Sequence, residues 1–540
     1  MAVVVTDLRN SGAAFNEADS ITGWVGGVTL YTSAPTPAEA SGCVGDVVSS
    51  TTTNPYVVAT SVDLTDSLVY IWVRPFGTMD TFANGGVGIV VGDGTNRMAY
   101  YVGGSDRSGF RHAVGPIEWT CFILDTGSLP TGKATIAGSE ASMTWTAITD
   151  IGVRFKTLAK ALGNVENCFI DVIRVGTEGL QITGGGSGTE GNFTEVTVQD
   201  ALTTDGYALG IARLLATGVV GLQGPLTLGD ATGTGSIDFE STGETVAFEP
   251  PVAGIDPDHY WIKVVSNSTG TTSVVVVGGN WICPSGSGGE LDASDADVET
   301  FSFTGGLIKG YEAGITLSDD ATNGPNHNLS GAVLDGCGPV DPGRVDFTGM
   351  TIIDPVITAD NSAILWDRNL DPDGYLDDLT ITKGSTAHHA LELGTTSPTE
   401  VTVDGWTTSG FNASNGQNDS TFHVLRTSGD VTINVVGGTG NFSYKTAGAT
   451  VTVVQAKSAT FTPIENGSAF TITRNSDNLL LTDVPVTSGG QVVYSYDGAL
   501  DGTAATVHLI IVGKEPIDFL WTIAEGTVPI SQITDRVYDT

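Results

Sequence analysis

Four octapeptides carry the first clue to the fold: "VGGNWICP" at 277–284, "FTGGLIKG" at 303–310, "LSGAVLDG" at 329–336 and "FTGMTIID" at 347–354. "LDDLTITK" at 376–383 and "VDGWTTSG" at 403–410 continue the series, and "LQGPLTLG" at 222–229 reads as an earlier copy. From Val277 the steps are 26, 26, 18, 29 and 27 residues. The first column is apolar throughout: Val277, Phe303, Leu329, Phe347, Leu376, Val403. The third is Gly279, Gly305, Gly331, Gly349, Asp378 and Gly405. The sixth is Ile282, Ile308, Leu334, Ile352, Ile381 and Thr408. One such unit cannot bury its apolar side alone, but stacked units align the columns into one core. Recurrent glycine in a column marks a bend that needs positive φ or lacks room for a Cβ. Asp378 fits that column because aspartate is among the few residues tolerant of a left-handed backbone. There is no leucine–asparagine ladder, and the period is too short for a propeller blade. A right-handed parallel β-helix over 219–447 is expected.

The flanks differ. Residues 1–178 hold alternating aromatic and β-branched runs, "SLVYIWVRPF", "GVGIVVGDG", "MAYYVGG", "EWTCFILD" and "NCFIDVIRVG", separated by Gly, Asn, Asp and Pro turns. That pattern predicts a two-sheet sandwich, with a hairpin at "GTNRMAYYVGG". Residues 179–218 read as a Gly-rich joint and connector with one or two short helices, the first capped by Thr194. Residues 448–540 alternate with period two in "ATVTVVQ", "SAFTITRN", "GQVVYSYDG" and "ATVHLIIVG", as a small sandwich would. The chain is thus expected to be all-β. In pattern, the first region resembles lectin-like jelly rolls of the concanavalin/laminin-G class. The last resembles immunoglobulin-like or transthyretin-like sandwiches.

Sixty-one acidic against 22 basic side chains give a net charge of -39, which repels nucleic acid and anionic membrane surfaces. Five scattered cysteines with no CxxC read as buried free thiols. "MAVVVTDLRNSG" has no signal-peptide pattern, and no apolar run is long enough to span a bilayer. A product that stays in the cytoplasm of its maker, or leaves by lysis or inside an assembled particle, is the expectation.

Several residues attract attention for chemistry. In "WDRNLDPDGYLDD", Asn369, Asp371, Asp373 and Gly374 match the start of a calcium loop, but Thr380 stands where the bidentate glutamate belongs. The stretch reads first as a surface turn and second as a calcium site; no other cofactor is expected. Asp319, Asp320, Asp335, Asp354, Asp360 and Glu392 could supply a carboxylate pair, although so acidic a chain brings such residues together by chance. His388 and His389 are adjacent and expected to point apart, one buried and one exposed. Trp24, Tyr100 and Tyr101 are candidates for stacking on sugar rings. There is no G-x-S-x-G elbow and no phosphate loop, so no residue is assigned a catalytic role.

"TLSDDATNGPNHNLSGAVLDGCG", "NCFIDVIRVG" and "PISQITDRVYDT" resemble segments of tailed-bacteriophage virion surface proteins: tailspikes, fibres and head-decoration proteins. That resemblance implies a non-enzymatic structural protein of the particle. It would form a homotrimer, contact other virion proteins and host surface polysaccharide, and be made in the host cytoplasm and released by lysis. The alternatives are a tailspike depolymerase and a bacterial adhesin or carbohydrate-binding protein.

Overall fold

Each pass of the repeat turns on one residue with positive φ. In the computed structural model of the protein, Gly278, Gly305, Gly331 and Gly349 hold φ of 65°, 62°, 66° and 72°, and Gly405 holds 70°. Asp378 adopts 55°, the same bend without glycine. The bend N–H donates to the residue before the bend of the next pass: Gly278 to Thr304 at 2.8 Å, Gly305 to Ser330 at 3.3 Å, Asp378 to Asp404 at 2.8 Å. A Cβ at Gly278 or Gly305 would meet nothing within 4 Å. At these two bends backbone angle and not space therefore selects glycine, and an aspartate that tolerates the same angle can stand in at 378. Gly305→Ala is expected to cost about 1–2 kcal/mol of stability, the left-handed penalty for an L-residue. Asp378→Gly should be neutral or slightly stabilising. Urea denaturation of both variants checks this, and an innocuous Gly305→Ala would contradict it.

The structure describes residues 3–530 apart from 6–8, 10–12, 34–36, 39–40, 49–51, 75–81, 104–118, 158–165, 177–178, 185–194, 203–211, 223, 233–235, 249–259, 285–287, 501, 511–515 and 525. Thr194, most of the Gly-rich joint and the terminal "SQITDRVYDT" lie outside them. The described residues are overwhelmingly strand and turn, as expected. Their α-helix, Val198–Ala201, has Asp200 N donating to Thr197 Oγ1 at 2.8 Å. No helix among them is long and apolar enough to cross a membrane. Two compact units divide the chain, Met1–Ile357 and Thr358–Thr540.

The first unit opens with two antiparallel sheets. One runs Lys133–Ala137, Arg97–Gly103, Phe82–Gly92, Ile148–Thr157, Tyr56–Val62, Trp24–Val25; the other runs Thr120–Asp125, Leu68–Arg74, Glu166–Gly176, Cys43–Val48, Thr29–Tyr31. The expected hairpin joins Phe82–Gly92 to Arg97–Gly103. Ile71, Val73, Phe122 and Ile170 from one sheet share a core with Ile89, Val91, Tyr100 and Val153 from the other.

Leu180–Gly184 marks the change of regime. It pairs antiparallel with Val3–Val5 and parallel with Leu226–Gly229. The parallel ladders thus begin at Leu180, ahead of the expected start at 219. The chain then passes in turn through three parallel ladders, and identical rows stack. Leu180, Leu226, Ile262, Leu291, Ile315 and Val340 form one row, each at most 1% exposed. Val220, Val246, Trp281, Ile308, Leu334 and Ile352 form another. Full burial of each aliphatic side chain contributes roughly 1.5–3 kcal/mol.

This register corrects the first copy of the repeat by one residue. Trp281, not Ile282, pairs with Ile308, so the bend is Gly278 and the inward first column is Val276, 1% exposed against 47% for Val277. The adjacent glycines and a run of valines fit either frame locally; only pairing separates them, because a one-residue slip moves every side chain to the opposite face. The copy read at Leu222 is likewise displaced. The matching pass is Ser241–Val246, with Gly243 at φ 71°.

The second unit holds parallel ladders too. Its strand Thr450–Thr462 pairs parallel with Asp430–Val436 in its first half and antiparallel with Val492–Asp497 in its second. One strand therefore leads from the stacked passes into the terminal antiparallel region, whose core includes Phe461, Phe470, Ile472, Val507 and Leu509.

Candidate functional site

In the second unit the strands Ser362–Trp366, His389–Leu393, Phe422–Val424 and Tyr444–Thr446 stack in parallel. The triplets Leu391-Glu392-Leu393 and Phe422-His423-Val424 alternate, so apolar residues face inward and the middle residue faces out. Register then aligns Glu392, His423 and Lys445 in one outward row. His389 joins them although its spacing from Glu392 is odd. Ala390 N and Leu391 N both donate to Thr421 O, at 2.9 and 3.1 Å, a local bulge that turns the preceding residue. Its ring lies 4.5 Å from that of His423, centroid to centroid.

Asp360 completes the cluster from the turn ahead of its strand, at φ 68°. Its Oδ1 lies 3.2 Å from His389 Nε2 and accepts from Lys445 Nζ. Lys445 Nζ also donates to Asn418 Oδ1 at 3.1 Å. His423 Nδ1 stands 3.7 Å from Glu392 Oε2. The hydrogen bond from Lys445 holds the Asp360 carboxyl below its usual range. Burial, with the charge of Asp367 adding to it, pushes Glu392 up. Burial lowers His423 to about 4, so its ring is neutral at pH 7. The site therefore offers an ionised carboxylate, a carboxyl poised to hold its proton and a neutral imidazole. Asp360, His389 and His423 present ligand atoms within 4.8 Å of one another, the one such group of metal-capable side chains among the described residues.

The sequence candidates divide. Asp360 and Glu392 both lie in this cluster, each beside His423. Asp319 pairs with Arg344 at 3.5 Å, Asp335 pairs with Lys309, and Asp320 accepts the N–H of Thr322 and Asn323 in a turn. The histidines correct an expectation: His388 and His389 are both fully buried. His388 is structural, with Nδ1 donating to His389 O at 2.9 Å and Nε2 accepting from Gly384 N at 3.1 Å. In the calcium candidate, Asn369 and Asp373 are exposed, while Asp371 Oδ1 accepts from Thr402 N at 2.7 Å and from Asp373 N at 3.3 Å. That carboxylate closes a turn. Tyr100 is also corrected: its ring is wholly buried and its hydroxyl donates to Glu140 Oε1 at 2.8 Å, so it cannot stack on a sugar. Trp24 is half-buried against the same core, and Tyr101 is half-buried. All five cysteines are buried and free, as expected, and burial pushes Cys43 and Cys337 up to about 12.

His423 and Lys445 escaped the sequence reading. Their one local signal is a polar residue between apolar neighbours, which any outward strand position shows.

No family model and no curated protein matches the chain. Among solved structures it is similar to a GH87 alpha-1,3-glucanase catalytic domain in complex with tetrasaccharides, at 9% identity over 84% of this chain and 96% of that one, with a TM-score of 0.19. It is also similar to the Agl-KA catalytic domain, at 10% identity over 80% and 96%, TM-score 0.19. Likeness at that level carries no argument, and the functional reading rests on the cluster itself.

Proposed function

We propose that the stacked passes are a parallel β-helix, preceded by a jelly-roll-type sandwich and followed by a small β-sandwich, and that the protein cleaves a polysaccharide on the outer face at Asp360 and Glu392. The observation that supports this is the convergence of two carboxylates, two imidazoles and a lysine on consecutive strands. Glu392 is the proton donor and Asp360 the ionised partner, a division of roles that opposite environments impose on two carboxyl groups. In hydrolysis the glycosidic C–O bond breaks, and the Glu392 proton goes to the leaving oxygen. Water adds to the anomeric carbon and yields its proton to Asp360. A net charge of -39 favours uncharged over acidic polymers. Incubation with a panel of neutral and acidic bacterial polysaccharides, read by reducing-end release and chain length, tests the reading. Absence of shortening across the panel would count against it.

A second reading is a homotrimeric structural protein of a bacteriophage particle, released by lysis, with calcium at Asn369, Asp371 and Asp373. One observation favours the structural part. Many carboxylates are occupied in closing turns: Asp93 takes N–H from Thr95, Asn96 and Thr144, and Asp125, Asp230, Asp292 and Asp346 do likewise in their own turns. A trimer by light scattering with no turnover would select it.

A further inference from the structure

We infer that Asp360, His389 and His423 form a binding site for a divalent transition-metal ion of the zinc class. His389 Nδ1 lies 2.7 Å from Ser420 O. A carbonyl only accepts, so Nδ1 carries the hydrogen, and in the ring's neutral form Nε2 presents a lone pair. That lone pair faces Asp360 Oδ1 at 3.2 Å, acceptor against acceptor. A cation between them resolves the conflict. A ring nitrogen fixed by a hydrogen bond from its opposite nitrogen to a backbone carbonyl is also how metal-bound histidines are held.

His423 supplies a second, separate observation. Its Nδ1 is buried and has no hydrogen-bond partner. His423 is also one of the three residues whose ligand atoms, one from each, all lie within 4.8 Å of one another. Glu392 Oε2, 3.7 Å from that nitrogen, can serve as a further oxygen donor. Two imidazole nitrogens with carboxylate oxygen suit zinc and its first-row neighbours, whereas calcium and magnesium prefer all-oxygen shells. Lys445 fits the same picture. Its ammonium sits on Asp360 Oδ1, and its side chain is 23% exposed and also held by Asn418. It supplies positive charge at the place an ion would take and can move toward solvent when one binds.

The metal site shares Asp360 with the proposed glycan cleavage but does not rest on it, and a test on the full chain without any glycan lets the two fail separately. Chelator-treated, desalted protein is titrated with zinc chloride by calorimetry, with calcium chloride as control. One equivalent of zinc should bind in the micromolar range or tighter, and calcium should give no saturable heat. His423→Asn should weaken zinc binding roughly tenfold or more, the scale on which altered metal shells respond. Lys445→Met removes the competing cation and should tighten it. Melting curves establish that both variants fold. Cobalt(II) should add visible absorption bands that His423→Asn abolishes. No saturable heat with zinc in either the wild type or Lys445→Met would overturn the inference. So would zinc binding that neither substitution changes, since the ion would then lie elsewhere. Zinc binding without polysaccharide turnover would leave the metal site standing and remove the proposed activity.

Discussion

Glu392→Gln is expected to lower polysaccharide turnover by roughly 10²- to 10⁴-fold, the contribution of a positioned general acid. Glutamine matches glutamate in shape and cannot donate a carboxyl proton, so binding should change little while the rate collapses. Stability should not fall. Burial raises the Glu392 pKa, so ionised Glu392 opposes folding at neutral pH, and an uncharged replacement removes that opposition. A melting temperature at pH 7 equal to or above wild type, together with lost turnover, is the expected pair of results. The pH profile carries the signs. Glu392 acts when protonated, so activity is present on its low-pH side and is lost as pH rises through its raised pKa. Asp360 acts when ionised, so activity is lost as pH falls through its depressed pKa, held low by the hydrogen bond from Lys445. A bell-shaped profile follows. Full turnover by Glu392→Gln on a cleaved substrate would remove Glu392 from the mechanism.

Trp281→Ala should cost about 3–5 kcal/mol of unfolding free energy, the range for deleting a large buried aromatic. Trp281 is 2% exposed, with ring centroids 6.0 Å from Phe301 and 5.3 Å from Phe303. Alanine would open a cavity between two ladders that backbone pairing on both sides keeps from collapsing. Ile282→Ala, one residue on and half-buried, should cost about 1 kcal/mol or less. The contrast tests the register. Had the first copy been framed with Ile282 inward, the two costs would be exchanged. Urea titration of both variants, followed by circular dichroism, gives the comparison.

Legibility in the sequence followed the range of the interaction. The bend column was readable because positive φ is a property of one residue, and glycine or aspartate announces it wherever the chain goes. Strand runs such as "SAFTITRN" and "ATVHLIIVG" were readable because alternation is local, and both form strands at Ala469–Arg474 and Ala504–Ile510. The register of the first pass was not, because Gly278 and Gly279 satisfy the pattern equally until a neighbouring strand chooses between them. The site was half legible. Asp360 and Glu392 stood among six candidate carboxylates, with nothing local to set them apart. Strict strand alternation does not place His389, because the bulge at Ala390 and Leu391 breaks it.

The sequence alone therefore determined an all-β chain, a repeated bend in the left-handed region and an acidic surface, since each follows from single-residue chemistry or short periodicity. Only the tertiary structure decided which side chains meet. Asp360, His389, His423 and Lys445 are brought together by parallel pairing of strands separated by loops of unequal length. Those loops absorb whatever number of residues lies between, so spacing along the chain carries no record of the contact.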